Sequence, residues 1–367
     1  MGDAVTDPRS GHGASVCELR PFQLGDNRVP VYYAGGDNID DFRGAPGARS
    51  GPEDWVGSTS ALPAAILGSE FPADTGVSRL PHGESLRDAV SADPVGWLGP
   101  EHAAALGGDT ALLVKLLDAG ERLPVHCHPT RPFARRHLDS FFGKTEGWII
   151  MRSASGAGVW LGMRETVERG DWQRWTSDQD VEAMLAAMNH FAVEPGDVVY
   201  VPAGLPHAIG PGVMLTELQE PTSLSVLAEH VAFGLDDDQA TLGLGWEVAI
   251  DCFDLGGYGR RLDEVLLPAA AGSVAGDAVR RLFPERADGF FRAELASCDG
   301  ALALGDAGFA VLVVAGGRGD VHWDGGVDAI AEGQTWVVPH GAGPLSFSAA
   351  ELQVIVCRPP DPAAMGA

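Results

Sequence analysis

Lysine is almost absent from this chain: Lys115 and Lys144 stand against twenty-three arginines in 367 residues. Basic charge as a whole is scarce, and the formal net charge is −26. That balance excludes nucleic acid and anionic membranes as partners, since both require basic patches. No window of eighteen or more apolar residues occurs, so no membrane-spanning helix is expected. The N-terminus, MGDAVTDPRSGHG, lacks the basic start and apolar run of a secretory signal, and residues 1–14 read as a disordered tail. The five cysteines (Cys17, Cys127, Cys252, Cys298 and Cys357) are scattered without a C-x-x-C pair. An odd, dispersed set fits reduced thiols in the cytoplasm better than a disulfide framework.

With 45% apolar residues the chain is globular, and its length suggests two domains. Its chemistry gathers in 125–148, VHCHPTRPFARRHLDSFFGKTEGW. Side chains at i and i+2 of a strand share a face, so His126 and His128 converge while Cys127 turns away into the core. Glu146 enters from a neighbouring strand, GKTEGWII. A later stretch, VEPGDVVYVPAGLPHAIGPG (193–212), alternates turn signals with a buried strand and delivers His207. Three imidazoles and a carboxylate aimed at one space make a ligand set for a divalent metal: His126, His128, Glu146 and His207.

Elsewhere the pattern is largely strand. SLRDAVSADPVGWLG reads as a short helix interrupted at Pro94. DVEAMLAAMNHF (180–191) has helical spacing, with Met184 and Met188 in the core and His190 at the helix end. Residues 236–287 read as a helical segment followed by a linker at 268–277. From about Gly289 short strands with Gly turns recur, as in a small barrel or sandwich. That last unit carries His322 and His340 but no H-x-H, and reads as structural, without metal. The domains expected are therefore 15–235, metal-binding with helical insertions, and 288–367.

In order and spacing, LLVKLLDAGERLPVHCHP, GKTEGWII and VPAGLPHAIGPGVMLTELQ resemble the metal-binding segments of class I mannose-6-phosphate isomerases. GPEDWVGSTS (51–60) is similar to that family's early Glu-x-Trp strand. The likeness covers most of residues 28–360. It implies a mainly β fold of two cupin (jelly-roll β-barrel) domains with helical insertions. It also implies zinc, or another divalent metal such as Mn2+, Fe2+ or Co2+, and interconversion of mannose 6-phosphate and fructose 6-phosphate. Two departures stand out. The family usually carries Gln where this chain has His126, and its strand after Glu-x-Gln leads to a catalytic Arg. Here that stretch is EPTSLSV, with no Lys or Arg between Gln219 and Arg260.

A metal with open positions polarises an α-hydroxy carbonyl, and a general base then moves a proton between C1 and C2. Glu217, in TELQE beyond the His207 strand, is the acid/base candidate, because alternate positions of such a strand face inward. Lys144 is read as a substrate contact, where a flexible ammonium does what a rigid guanidinium does not. Lys115 carries little of that argument. The partner expected is a small sugar or sugar phosphate, and the oligomeric state is not readable. Alternatives stay open: an isomerase of another sugar, phosphorylated or not; a cupin oxidoreductase using iron or manganese; and a non-catalytic sugar-binding cupin.

Overall fold

Alternation of side chains along antiparallel strands organises the protein. The computed structural model describes residues 19–47, 51–63, 71–267 and 278–365. The tail expected at 1–14 and the linker read at 268–277 lie outside the described residues. Among the described residues the strands form three sheets, each antiparallel in every pair. Among the described residues no helix is long and apolar enough to cross a membrane.

The central sheet has seven strands, ordered Leu266–Leu267, Val198–Val201, Glu146–Ser153, Val213–Gln219, Leu113–Asp118, Glu53–Val56 and Arg28–Val29. Its two faces do different work. On one face lie Trp55, Lys115, Glu217 and Trp148, which are directly cross-strand from one another. Directly paired residues share a face, so this row is a consequence of register. On the other face Val114, Leu116, Ile149, Met214 and Leu218 pack against Phe283, Phe291, Val311 and Ile355 of the C-terminal part.

A five-stranded sheet covers the first of these faces: Val226–Leu227, His126–Cys127, His207–Ile209, Gly158–Met163 and Met188–Ala192. Its inner residues Val159, Leu161 and Ile209 join Leu117, Trp148 and Ile150 in one apolar cluster. Its outer residues Cys127, Ala208 and Val226 belong to another cluster, which includes Trp172 and Met184 of the covering helices.

The third sheet holds the C-terminal strands, among them Arg292–Ala303, Ala310–Trp323 and Ser346–Arg358. Phe22–Leu24, assigned on sequence to the N-terminal unit, pairs here with Thr335–Val338. The first described strand thus joins the last sheet. Short helices fill the connections. The helix interrupted at Pro94 is two helices, Leu86–Ala92 and Pro94–Leu98. Proline opens the second, where its missing N–H has no partner to lose, and the Asp93 side chain accepts from Gly96 N–H as cap.

The helix expected over 180–191 ends at Ala187. Met188–Ala192 is instead a strand beside Gly158–Met163, because pairing with an open sheet edge satisfies backbone groups that a helix end would leave bare. His190 accordingly packs against Trp160, with ring centroids 4.4 Å apart and the planes tilted by 44°, rather than ending a helix. Three helices, Asn38–Arg43, Arg131–His137 and Arg169–Asp178, arise where no helix was expected.

Gly147 sits between Glu146 and Trp148 with its α-carbon turned toward the C-terminal part. A Cβ there would lie 2.5 Å from Phe283 Cε1 and 2.8 Å from Phe291 Cε2. Gly147→Ala is expected to destabilise the fold by roughly 1–3 kcal/mol through overpacking. Urea unfolding monitored by tryptophan fluorescence checks this, and an unchanged midpoint would count against the packing account.

Candidate metal centre

The Val125–His128 segment and the Pro202–Ile209 segment meet at their histidines. His126 and His207 are directly paired across two strands, and His128 follows just beyond the first. One nitrogen from each of the three rings lies within 4.8 Å of the others, and all three residues are buried. Glu146 opens the next sheet's strand and approaches two of them, with Oε1 2.9 Å from His128 Nε2 and Oε2 3.7 Å from His207 Nε2. The structure therefore brings together all four residues named as ligands from sequence. Cys127 points the other way, into the apolar cluster behind.

Hydrogen bonds select the tautomer of each ring. Nδ1 of His126 meets the Pro124 carbonyl at 2.8 Å, that of His128 the Leu224 carbonyl at 2.9 Å, and that of His207 the Leu205 carbonyl at 2.8 Å. A carbonyl only accepts, so each Nδ1 carries the proton and donates it. In a neutral ring Nε2 is then left with a lone pair. Burial keeps the rings neutral: it drives His126 well below its ordinary value, lowers His207, and takes His128 down to about 3 against the pull of Glu146.

Glu146 is ionised. Burial alone would raise it, but the groups around it, the Lys144 ammonium 3.0 Å from Oε1 among them, outweigh that and hold it well below the carboxylate range.

This donor set fits a divalent cation. His128 Nε2 and His207 Nε2 are buried without a hydrogen-bond partner. His128 Nε2 and Glu146 Oε1 face each other as two acceptors at contact distance. An orphaned lone pair against a carboxylate is costly unless a cation lies between them. Imidazole tied by its other nitrogen to a carbonyl is also the usual setting of a metal-ligating histidine.

Across the cavity is a second group of charges, which sequence reasoning largely missed. Lys115 Nζ lies 3.2 Å from Glu217 Oε2 and 3.3 Å from Glu53 Oε2, and 5.4 Å from the centroid of the Trp55 ring. Glu53 in turn accepts from Tyr33 O–H at 2.6 Å and from Trp55 Nε1 at 2.7 Å. Trp148 Nε1 donates to both Glu146 Oε2 and Glu217 Oε1, each at 3.1 Å, and so links the two groups.

Burial alone would lower Lys115, but Glu53 and Glu217 more than compensate and keep it charged. Glu217 is pushed up to about 7 by burial first and by Glu146 second, against Lys115. The signals for this group were present in the chain. Lys115 is one of only two lysines, and Glu53-x-Trp55 repeats the Glu146-x-Trp148 pattern, with the indole of each bonded to its own carboxylate.

These side chains enclose a cavity of about 40 Å³ lined also by Tyr32, Leu123, Ile209 and Ser225. Tyr32 and Ser225 are shared with a wider cleft of about 790 Å³ on the outside.

No family model matches the chain. Over 210 residues, 52% of this chain, the sequence is 29% identical to the mannose-6-phosphate isomerase of Streptococcus mutans. The match spans 62% of that relative's length, under two thirds. In structure the chain is similar to the mannose 6-phosphate isomerase from Bacillus subtilis, with a TM-score of 0.70 at 20% identity over 92% of this chain and 99% of that one. A mannose 6-phosphate isomerase bound with zinc and yttrium aligns at a TM-score of 0.67 and 15% identity, covering 93% of this chain and 100% of that one. The fold is the cupin fold of these structures, mainly β and antiparallel. In sequence the chain is a divergent relative of mannose-6-phosphate isomerases.

Two outcomes follow for metal binding. His207→Ala is expected to weaken metal affinity by more than the roughly 10–100-fold that a change outside the ligand set costs, read by mass spectrometry after dialysis against a graded chelator. The bound metal is also expected to survive acidification through 6.5, the ordinary histidine value, by roughly one unit, because the buried rings resist protonation. Release with a midpoint at 6.5 in a Co(II)-substituted sample would show rings that titrate as if exposed.

Proposed function

We propose that this protein is a metal-dependent aldose–ketose isomerase of the mannose-6-phosphate isomerase type. His126, His128, His207 and Glu146 hold the metal, which is zinc or another divalent ion. The relatives' names supply mannose 6-phosphate and fructose 6-phosphate as the first pair to assay. The observation that carries the reading is a carboxyl poised near neutrality, Glu217, facing the histidine group across a cavity that admits only the reacting end of a sugar.

A divalent cation bound there would act as a Lewis acid on the carbonyl and neighbouring hydroxyl. The chain's own residues supply the rest. Glu217 is held by Trp148 Nε1 on one oxygen and by Lys115 on the other. It takes the proton from the carbon beside the carbonyl and returns it to the adjacent carbon, by way of an enediol. A carboxyl near 7 suits both halves of that exchange, since it neither binds nor releases the proton too firmly. Lys115, which stays charged, and Lys144 lie on either side and stabilise the negative charge that develops on the two oxygens. Lys144, bonded to Glu146, contacts the substrate hydroxyl in this reading. Glu53, with Tyr33 and Trp55, fixes Lys115 from behind.

Glu217→Gln is expected to lower kcat by 10²–10⁴-fold, the usual worth of a general acid–base group, while metal content stays at the wild-type level. In the wild type, activity is expected to fall with acid below a limb near pH 7, where Glu217 becomes protonated and can no longer accept. The assay is turnover of the phosphorylated and free sugars on protein of measured metal content, together with uptake of solvent deuterium at C1 or C2. Full activity in Glu217→Gln, or product without solvent deuterium and with intact hydride transfer, would remove Glu217 from the proton path.

A further inference from the structure

The inner cavity, about 40 Å³, has room for roughly two or three waters. It takes the carbonyl and its neighbouring hydroxyl and no more. The rest of a six-carbon sugar must lie in the outer cleft of about 790 Å³, which meets the cavity at Tyr32 and Ser225. The chemistry of that cleft therefore decides what the far end of the substrate carries.

Among the described residues no Lys or Arg lines the cleft, and its one charged side chain is Asp238. Residues 64–70 lie outside the described residues and contain no Lys or Arg in sequence, and none occurs from 220 to 259. Of the arginines closest along the chain, Arg28 is bonded to Asp40 and to the Gly51 carbonyl, Arg135 lies over the Phe141 ring, and Arg136 is exposed and outside the cleft lining. Arg131 donates to Glu220 at 2.6 Å and to the Gly289 carbonyl at 2.8 Å, and Arg122 is paired twice with Glu229 at 2.6 Å.

Three of the cleft's hydroxyls are spent as donors, while Tyr32, Ser223 and Ser225 also line it. Thr222 Oγ1 donates to the Gly143 carbonyl at 2.8 Å, Ser140 Oγ to Phe142 at 2.7 Å, and Ser60 Oγ to Pro221 at 3.5 Å. The Thr222 amide is bonded to the Glu220 carbonyl at 2.7 Å. What these hydroxyls still offer is lone pairs. A phosphate dianion only accepts and gains nothing from lone pairs, whereas a sugar hydroxyl donates to them. A dianion would enter a cleft without a counter-charge, in a protein of net charge −26.

We infer that the outer cleft receives an uncharged, polyhydroxylated end, so that the substrate is a free sugar and not a sugar phosphate. This rests on the isomerase reading for the chemistry at the inner cavity, while the cleft assignment concerns binding alone. The Lys144 and Lys115 ammonium groups do not alter it, because both are held at the inner cavity by carboxylates, Lys144 by Glu146 and Lys115 by Glu53 and Glu217.

The test uses the full chain loaded with zinc. First, kcat/KM is compared for mannose and mannose 6-phosphate. Second, calorimetry compares binding of mannitol and mannitol 1-phosphate, which have the same chain and no carbonyl. The free sugar is expected to lead by about tenfold or more, as for a site built to pair hydroxyls, and mannitol to bind tighter than its phosphate. A lead for the phosphorylated member in either comparison overturns the inference, and so does failure of both polyols to bind. Preferential binding of mannitol with turnover of neither sugar would leave the cleft assignment standing and remove the isomerase reading instead.

Discussion

Three hydrogen bonds from imidazole Nδ1 to backbone carbonyls hold the centre of this structure in place. Each removes the choice of tautomer, orients its ring, and leaves one lone pair directed inward. The carbonyls belong to Pro124, Leu205 and Leu224, in the turns that lead into the strands. The turn prolines and glycines of LPVHCHP and VPAGLPH thus set side-chain chemistry as well as chain direction. Burial follows from the two sheets closing over the rings, and with burial comes neutrality. The same enclosure that makes the site expensive without a cation makes it selective for one.

The central sheet is what lets one cavity contain so many charges. Its inner face carries the row Trp55, Lys115, Glu217 and Trp148, and each charge in it has an opposite charge or an indole N–H beside it. Its outer face is apolar and packed on the C-terminal part. A buried ion group is costly to assemble, and removal of one member leaves the others uncompensated. The rigid, register-fixed sheet pre-pays that assembly in the course of folding, so a ligand meets groups already in place.

Much of the centre was legible in the chain because it depends on short-range periodicity. An H-x-H on a strand, a carboxylate at the start of the next strand, and a histidine after a Pro-Gly turn need only i, i+2 geometry and turn chemistry. Glu217 was legible by the same alternation. Lys115 and Glu53 were harder, because their part in the site comes from cross-strand pairing between segments some sixty to a hundred residues apart, and register is set by the folded sheet. The strand at Met188–Ala192 was hidden for a related reason: its residues keep a helical spacing, and only an available sheet edge decides otherwise. The placement of Phe22–Leu24 in the C-terminal sheet is likewise a matter of topology, for which a three-residue strand carries no local signal.

The scarcity of lysine has a practical side. The side-chain amines of this chain number two, and both are buried within a single cavity, beside Glu146 and Glu217. An amine-directed reagent therefore finds no lysine on the protein's exterior. Lysine acylation, followed by mass, becomes a clock for the opening of that one chamber, with ligand or metal occupancy read as the slowing of its hands.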